Sequence, residues 1–365
     1  MVSAPPAPAL HFRSGHETKR EICSPLAMAS TSAAQDAAPY EFPSLTEIKR
    51  ALPSECFEAS VPLSLYYTAR SLALAGSLAV ALSYARALPL VQANALLDAT
   101  LCTGYVLLQG IVVGTLMHSI ILTPFESWKL SHRHHHKNTG NIDKDEIFYP
   151  QREADSHPVS RHLVMSLGSA WFAYLFAGFP PRTMNHFNPW EAMYVRRVAA
   201  VIISLGVLFA FAGLYSYLTF VLGFTTMAIY YFGPLFVFAT MLVVTTFLHH
   251  NDEETPWYAD SEWTYVKGNL SSVDRSYGAL IDNLSHNIGT HQIHHLFPII
   301  PHYKLNDATA AFAKAFPELV RKNAAPIIPT FFRMAAMYAK YGVVDTDAKT
   351  FTLKEAKAAA KTKSS

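Results

Sequence analysis

Hydrophobic positions along this chain fall into long blocks rather than the short periods of a surface helix or strand. Four blocks are long enough to cross a bilayer, which takes about 20 apolar residues; they run roughly over 63–85, 98–123, 198–222 and 227–248. A fifth, 163–179, is shorter and carries several small residues. Outside the blocks, Ser44-Leu45-Thr46-Glu47 fits a capping box and opens a short amphipathic helix that stops before Pro53. Helices are also predicted at 305–316 and near 353–360. The fold expected is an all-α integral membrane protein with four transmembrane helices, interfacial helices and a cytoplasmic helical cap.

Composition supports that class. Half of the chain is hydrophobic (51%) against 15% charged, which is the balance of a polytopic membrane protein. The net charge of +2 leaves no nucleic-acid footprint. Cys23, Cys56 and Cys102 lie far apart and form no Cys-x-x-Cys pair, so neither a disulfide framework nor a zinc ribbon is indicated. Residues 1–40 are rich in Ala, Pro and Ser and read as a disordered tail. They lack the apolar core of a signal peptide, Glu17 and Glu21 speak against a transit peptide, and Met28 is an alternative start.

The chemistry lies in two histidine stretches, His132-Arg133-His134-His135-His136 and His291-Gln292-Ile293-His294-His295. Each contains His-x-x-His-His. Positions i, i+3 and i+4 share one helix face, so each stretch presents three imidazoles together, a donor set suited to iron, zinc, copper or nickel. Topology decides whether they share a site. Two spans precede His132 and two more precede His291, so both triplets reach the same side only if 163–179 does not cross. That segment is therefore re-entrant or interfacial. Lys49, Arg50, Lys129, Arg133, Lys137, Lys144, Arg152 and the C-terminal lysines all fall on that side, which places both triplets and both termini in the cytoplasm. Six histidines exceed what one four-coordinate zinc requires, and two neighbouring metals would use them better.

With these residues in view, the chain resembles the membrane fatty-acid desaturases. The resemblance rests on the two boxes, Glu126-Ser127-Trp128-Lys129 before the first and Asn138-Thr139-Gly140 after it. Asp274-Arg275-Ser276-Tyr277-Gly278, the stretch His291–Pro298 and Pro301-His302-Tyr303 are similar to the Δ12/ω-3 branch, nearest to the ω-3 desaturases of eukaryotic microbes. It covers about Phe42 to Tyr341, giving a tail at 1–40, a desaturase domain at 41–345 and a basic tail at 346–365. The resemblance implies two non-haem iron ions held by His132, His135, His136, His291, His294 and His295, with His250 as a further ligand and His286 as second choice. His134 stands where relatives often carry Arg and is left out. It implies insertion of a cis double bond into C18 or C20 n-6 acyl chains carried on CoA or phospholipid. Dioxygen is used, with electrons from cytochrome b5 and its reductase, in the endoplasmic reticulum membrane. Lys361 and Lys363 resemble a dilysine retrieval signal there. No His-Pro-Gly-Gly haem motif is present, so the electron donor is a separate protein. A Δ12 desaturase, a di-iron hydroxylase, a non-catalytic relative acting in hetero-oligomers and a metal transporter are the alternatives. Chain length, acyl carrier and oligomeric state are open.

One departure stands out. The family's first box, His-x-x-x-His or His-x-x-x-x-His, has no counterpart, because no histidine lies between His16 and His118. Wording that flanks the box in relatives meets directly at Val112–Val113, as if about 25 residues had dropped out. His118 alone does not replace two ligands. Less iron and little activity are therefore expected of this chain.

Overall fold

The computed structural model describes residues 41–113 and 121–364. Met28, the tail 1–40 and His118 lie outside the described residues. Residues from Phe42 onward form one unit, and it is built almost wholly from helices.

Three helices are long and apolar enough to cross a membrane: Val61–Ala87, Val198–Leu222 and Phe224–His250. They match the first, third and fourth predicted blocks. The second block gives the helix Ala95–Val113, with 114–120 outside the described residues, so the four-span count does not emerge from the described helices. The spanning helices keep apolar side chains exposed (Leu65 and Leu72 on the first, Ile203, Phe209 and Phe220 on the second), as lipid-facing surfaces do. The last helix contains a π-helical turn at Ala228–Phe232 just before Pro234, where the missing N–H of proline favours a break in the regular ladder. Tyr230 and Tyr231, in that turn, pack against Tyr105 and Tyr215 respectively, as ordinary helix contacts.

The fifth block is too short to cross. It forms the ten-residue helix Gly168–Ala177, which ends at Gly178 with φ +67°. Gly168 is required for close approach: a Cβ there would lie 2.8 Å from the Phe236 carbonyl oxygen and 2.9 Å from Thr240 Oγ1 of the last spanning helix. Trp171, Tyr174 and Leu175 are buried against that helix.

Outside the spans, two apolar clusters flank the histidine segments. In one, Ile48, Leu52 and Cys56 pack with Ile293, Leu296, Phe297, Leu305 and Phe312. This joins the predicted Ser44-capped helix, observed as Leu45–Ala51 with its capping box, to the second triplet and to helix Leu305–Ala315. In the other, Phe247 and Leu248 at the end of the last span pack with Phe331, Met334 and Tyr338. These last three belong to helix Ile327–Tyr341, which the pattern of apolar blocks does not reveal. The predicted C-terminal helix is present as Leu353–Ser364. Before it, Thr350–Phe351 pairs antiparallel with Trp257–Tyr258, and Phe351 and Leu353 are buried in this second cluster.

Candidate metal centre

The first triplet occupies helix Phe125–Asn138, and the second the six-residue helix His291–Leu296. So short a helix has little stability of its own. Thr290 makes no side-chain cap to it. Instead the Asp274 carboxylate, distant in the chain, accepts the backbone N–H of His291 at 2.6 Å and of Gln292 at 2.8 Å through Oδ1. That carboxylate does for the helix what an N-cap would. Burial pushes Asp274 up to about 6, and the two N–H groups pull the other way. Gln292, wholly buried, donates to the carbonyls of Leu270 and Leu319 and accepts the N–H of Arg321. Arg275 donates to the Leu248 carbonyl and to Asp252, fastening the same segment to the end of the last span.

These supports bring the two triplets together. The rings of His136 and His295 stack with centroids 4.1 Å apart, and those of His135 and His295 meet edge-on at 5.2 Å. His250, at the end of the last spanning helix, enters the same cluster. Its Nε2 lies 3.2 Å from Nε2 of His135 and 3.1 Å from Nε2 of His291, which in turn is 3.0 Å from Nε2 of His295. Two groups are spaced to hold a metal ion: His132, His136 and His294, and His135, His250 and His295. All seven histidines named from sequence therefore converge. His286 does not: its ring packs with Tyr67 and His302. His134 turns away, with Nδ1 2.6 Å from Glu146 Oε1.

Hydrogen bonding fixes which nitrogens are free to bind. The Asp145 carboxylate sits 2.7 Å from His135 Nδ1 and takes its proton in a hydrogen bond. Thr139 donates its hydroxyl to the His135 carbonyl and so accepts from His295 Nδ1, with Asn269 Oδ1 as a second acceptor. Both rings thus present bare Nε2 atoms to one another. Nε2 atoms facing one another at about 3 Å repel unless a proton or a cation sits between them. Burial, then the neighbouring rings, pushes His136, His291 and His295 well below the usual imidazole range and His294 down to about 4, so they are neutral at physiological pH, as ligation requires. His135 moves the other way. Burial alone would lower it, and the Asp145 carboxylate raises it more.

Sequence reasoning missed Asp145 and Asn269, and had Asp274 only as part of a resemblance, without its role. It also missed His249, which is held between Tyr277 Oη and the Val273 carbonyl and stacks on His291 at 4.2 Å. A carboxylate within ten residues of a histidine triplet was the available signal, since ligating imidazoles usually donate their other N–H to one. Gly268 is a further hidden requirement, because a Cβ there would run into the Thr139 carbonyl and Trp263 Nε1. Gly268→Ala is expected to displace Thr139 and lower bound metal several-fold, read by metal analysis of the purified protein.

Against the histidines lies an apolar cavity of about 170 Å³, walled by Trp128, Trp171, Tyr174, Phe179, Leu242 and Val243 and floored by His132, His250 and His294 among others. Trp128 stacks on His132 at 4.7 Å. Such a space, apolar along its walls, takes hydrocarbon.

The sequence that builds this site has counterparts among known proteins. The family model described as Fatty acid desaturase matches residues 102–323. An sn-1 acyl-lipid omega-3 desaturase (ferredoxin) from Nostoc sp. is 33% identical over 336 residues, covering 86% of this chain and 92% of that protein. Its counterpart in Synechocystis sp. is 35% identical over 309 residues, covering 79% and 86%. The acyl-lipid omega-3 desaturase (cytochrome b5) of the Arabidopsis thaliana endoplasmic reticulum is 39% identical over 210 residues, 55% of this chain and 54% of that protein. The chain belongs to the membrane fatty-acid desaturases, a family of oxidoreductases. Its relatives place it in the omega-3 branch.

Proposed function

We propose that His132, His135, His136, His250, His291, His294 and His295 are ligands of a pair of iron ions, and that a form carrying the family's first histidine box places an ω-3 cis double bond in C18 or C20 n-6 acyl chains, the chain as it stands being short of two ligands for that reaction. The observation that carries this is the convergence of seven imidazoles beside an apolar cavity, with the Nδ1 atoms of His135 and His295 engaged by acceptors so that their Nε2 atoms face the centre. Bound there, iron supplies the oxidising chemistry that, with dioxygen and two electrons, removes hydrogen from unactivated methylenes. The residues of the chain do the rest. Trp128, Trp171 and Leu242 enclose the hydrocarbon and exclude water, so that position along the chain is set by how far it enters. Asp145, Thr139 and Asn269 hold the ligand rings in the binding tautomer.

Around this centre we place four spans, the fourth including Ala95–Val113, with the histidines and both termini on the cytoplasmic face of the endoplasmic reticulum. Cytochrome b5 is the electron donor in this reading, as the name of the Arabidopsis relative states for that protein; ferredoxin serves the Nostoc relative. The test is metal analysis of the full chain purified from iron-supplied cells. Iron is expected to copurify, and His250→Ala is expected to lower it by about tenfold or more. Zinc in its place, or iron unchanged by that substitution, would overturn the assignment.

A further inference from the structure

The first spanning helix carries a cation that the metal centre does not use. Arg70 lies in the first half of Val61–Ala87 and donates through Nη1 to the Asn283 side-chain oxygen at 3.0 Å and through Nη2 to the Asn283 carbonyl at 3.2 Å. Its guanidinium carbon sits 5.0 Å from the centre of the Tyr67 ring. All of these partners are neutral. Among the described residues Arg70 forms no ion pair. A charge within a spanning helix is costly without a counter-charge and marks a functional position by default.

The surroundings sharpen what is missing. The rings of His286 and His302 lie 4.2 Å apart, Tyr67 is 4.7 Å from His302, and Tyr67 stacks with Tyr303 at 5.8 Å. Arg70 Nε, His286 Nδ1 and His302 Nε2 are all buried, and none has a hydrogen-bond partner. Orphaned buried nitrogens are rare and costly. His286 and Asn287 are both held at positive φ, +56° and +58°. A metal ion does not suit the cluster, because only two imidazoles converge and the guanidinium repels a cation. An anion with several acceptor oxygens suits it well. A guanidinium flanked by N–H donors matches phosphate geometry.

Position names the source of that phosphate. Val61, Leu65, Tyr66 and Leu72 on the same helix are exposed apolar residues, so the cluster stands at the lipid face. Asn283 is exposed, which brings the outer edge of the guanidinium to the surface. Two residues past His286, Ile288 lines the apolar cavity beside the histidine triplets.

We propose that Arg70, His286 and His302 form a recognition site for the phosphate ester of the acyl carrier, a membrane phospholipid or coenzyme A. The identity of the ligand as an acyl carrier rests on the desaturase reading; the binding itself does not. The test is native mass spectrometry of the full chain in mild detergent, titrated separately with phosphatidylcholine, the matching diacylglycerol, oleoyl-CoA and inorganic phosphate. One phosphate-bearing acyl ligand is expected to remain bound where diacylglycerol does not, and Arg70→Gln is expected to weaken it about tenfold or more. Arg70→Lys should keep most of the binding, and His302→Gln should fall between. The carrier whose retention depends on Arg70 is the physiological one. Equal retention of diacylglycerol, or Arg70-dependent binding of inorganic phosphate alone, overturns the proposal. So does a R70Q protein that loses iron while retaining lipid unchanged, since the cluster would then serve only the fold. Should R70Q fail to elute as a folded species, R70K and H302Q decide the matter. Absence of iron in the wild type would sink the desaturase reading and leave this readout intact.

Discussion

Expressed in a host fed C18 and C20 n-6 fatty acids, the chain as it stands is expected to yield little n-3 product, whereas a form with a first histidine box restored at Val112–Val113 is expected to yield it. The argument is one of ligand count. Seven histidines converge in the structure, and their two groups of three each leave a metal short of the ligands a stable site of this kind needs. Losing even a supporting hydrogen bond costs roughly 10–100-fold in affinity or activity, so losing two ligands should cost at least about a hundredfold. The comparison with the Nostoc relative extends over 336 residues yet covers only 86% of these 365, so that relative carries positions with no residue opposite them here. Gas chromatography of the host lipids reads the outcome. Abundant n-3 products from the unaltered chain would refute the claim, and rereading the genomic sequence across that junction for a mis-removed segment is the cheaper check.

Replacing Asp145 is expected to produce the next largest effect, although Asp145 touches no metal. It is wholly buried and accepts from His135 Nδ1, from the Gly140 N–H and from the Glu146 N–H. Asp145→Ala orphans those donors at a cost of about 1–3 kcal/mol each and frees the His135 ring to adopt the wrong tautomer. Bound iron should fall about 10–100-fold, with a lowered unfolding temperature. Asp145→Asn should spare more stability than metal binding. The neighbouring Asp143, which pairs at the surface with Arg152, is the control; Asp143→Asn should change neither by much. The same carboxylate sets a pH dependence. Because Asp145 raises His135, the ring keeps its second proton to higher pH than an ordinary imidazole, and that proton must leave before Nε2 can bind metal. Iron loading should therefore fall as pH drops into the range where His135 is protonated, and in Asp145→Asn that fall should move to lower pH.

How much of this was legible beforehand depends on the range of the forces involved. His132, His135 and His136 were readable because helical periodicity is local, and so was the cap at Ser44 and Glu47. The meeting of the two triplets was a premise of the sequence reading, under which 163–179 could not cross, and the structure shows the meeting directly. Asp274 was recognisable only as part of a resemblance, because its role is to cap a helix far along the chain, a contact made by tertiary folding. Helix Ile327–Tyr341 was overlooked although Phe331, Met334, Ala335 and Tyr338 keep the helical period; Pro326 and Pro329 at its start disguise it. The second span could not be settled, since its block runs through the very junction at which the sequence departs from its relatives.

The side chain of Gln292 bears on how hybrid enzymes should be built. It ties three stretches of chain together, through Leu270, Leu319 and Arg321, within one residue of a histidine that faces the metal centre. A chimera spliced anywhere between 270 and 321 mixes parents across that knot and sets one parent's histidines on the other's scaffolding. Junctions placed before Leu270 or after Arg321 keep that knot within one parent.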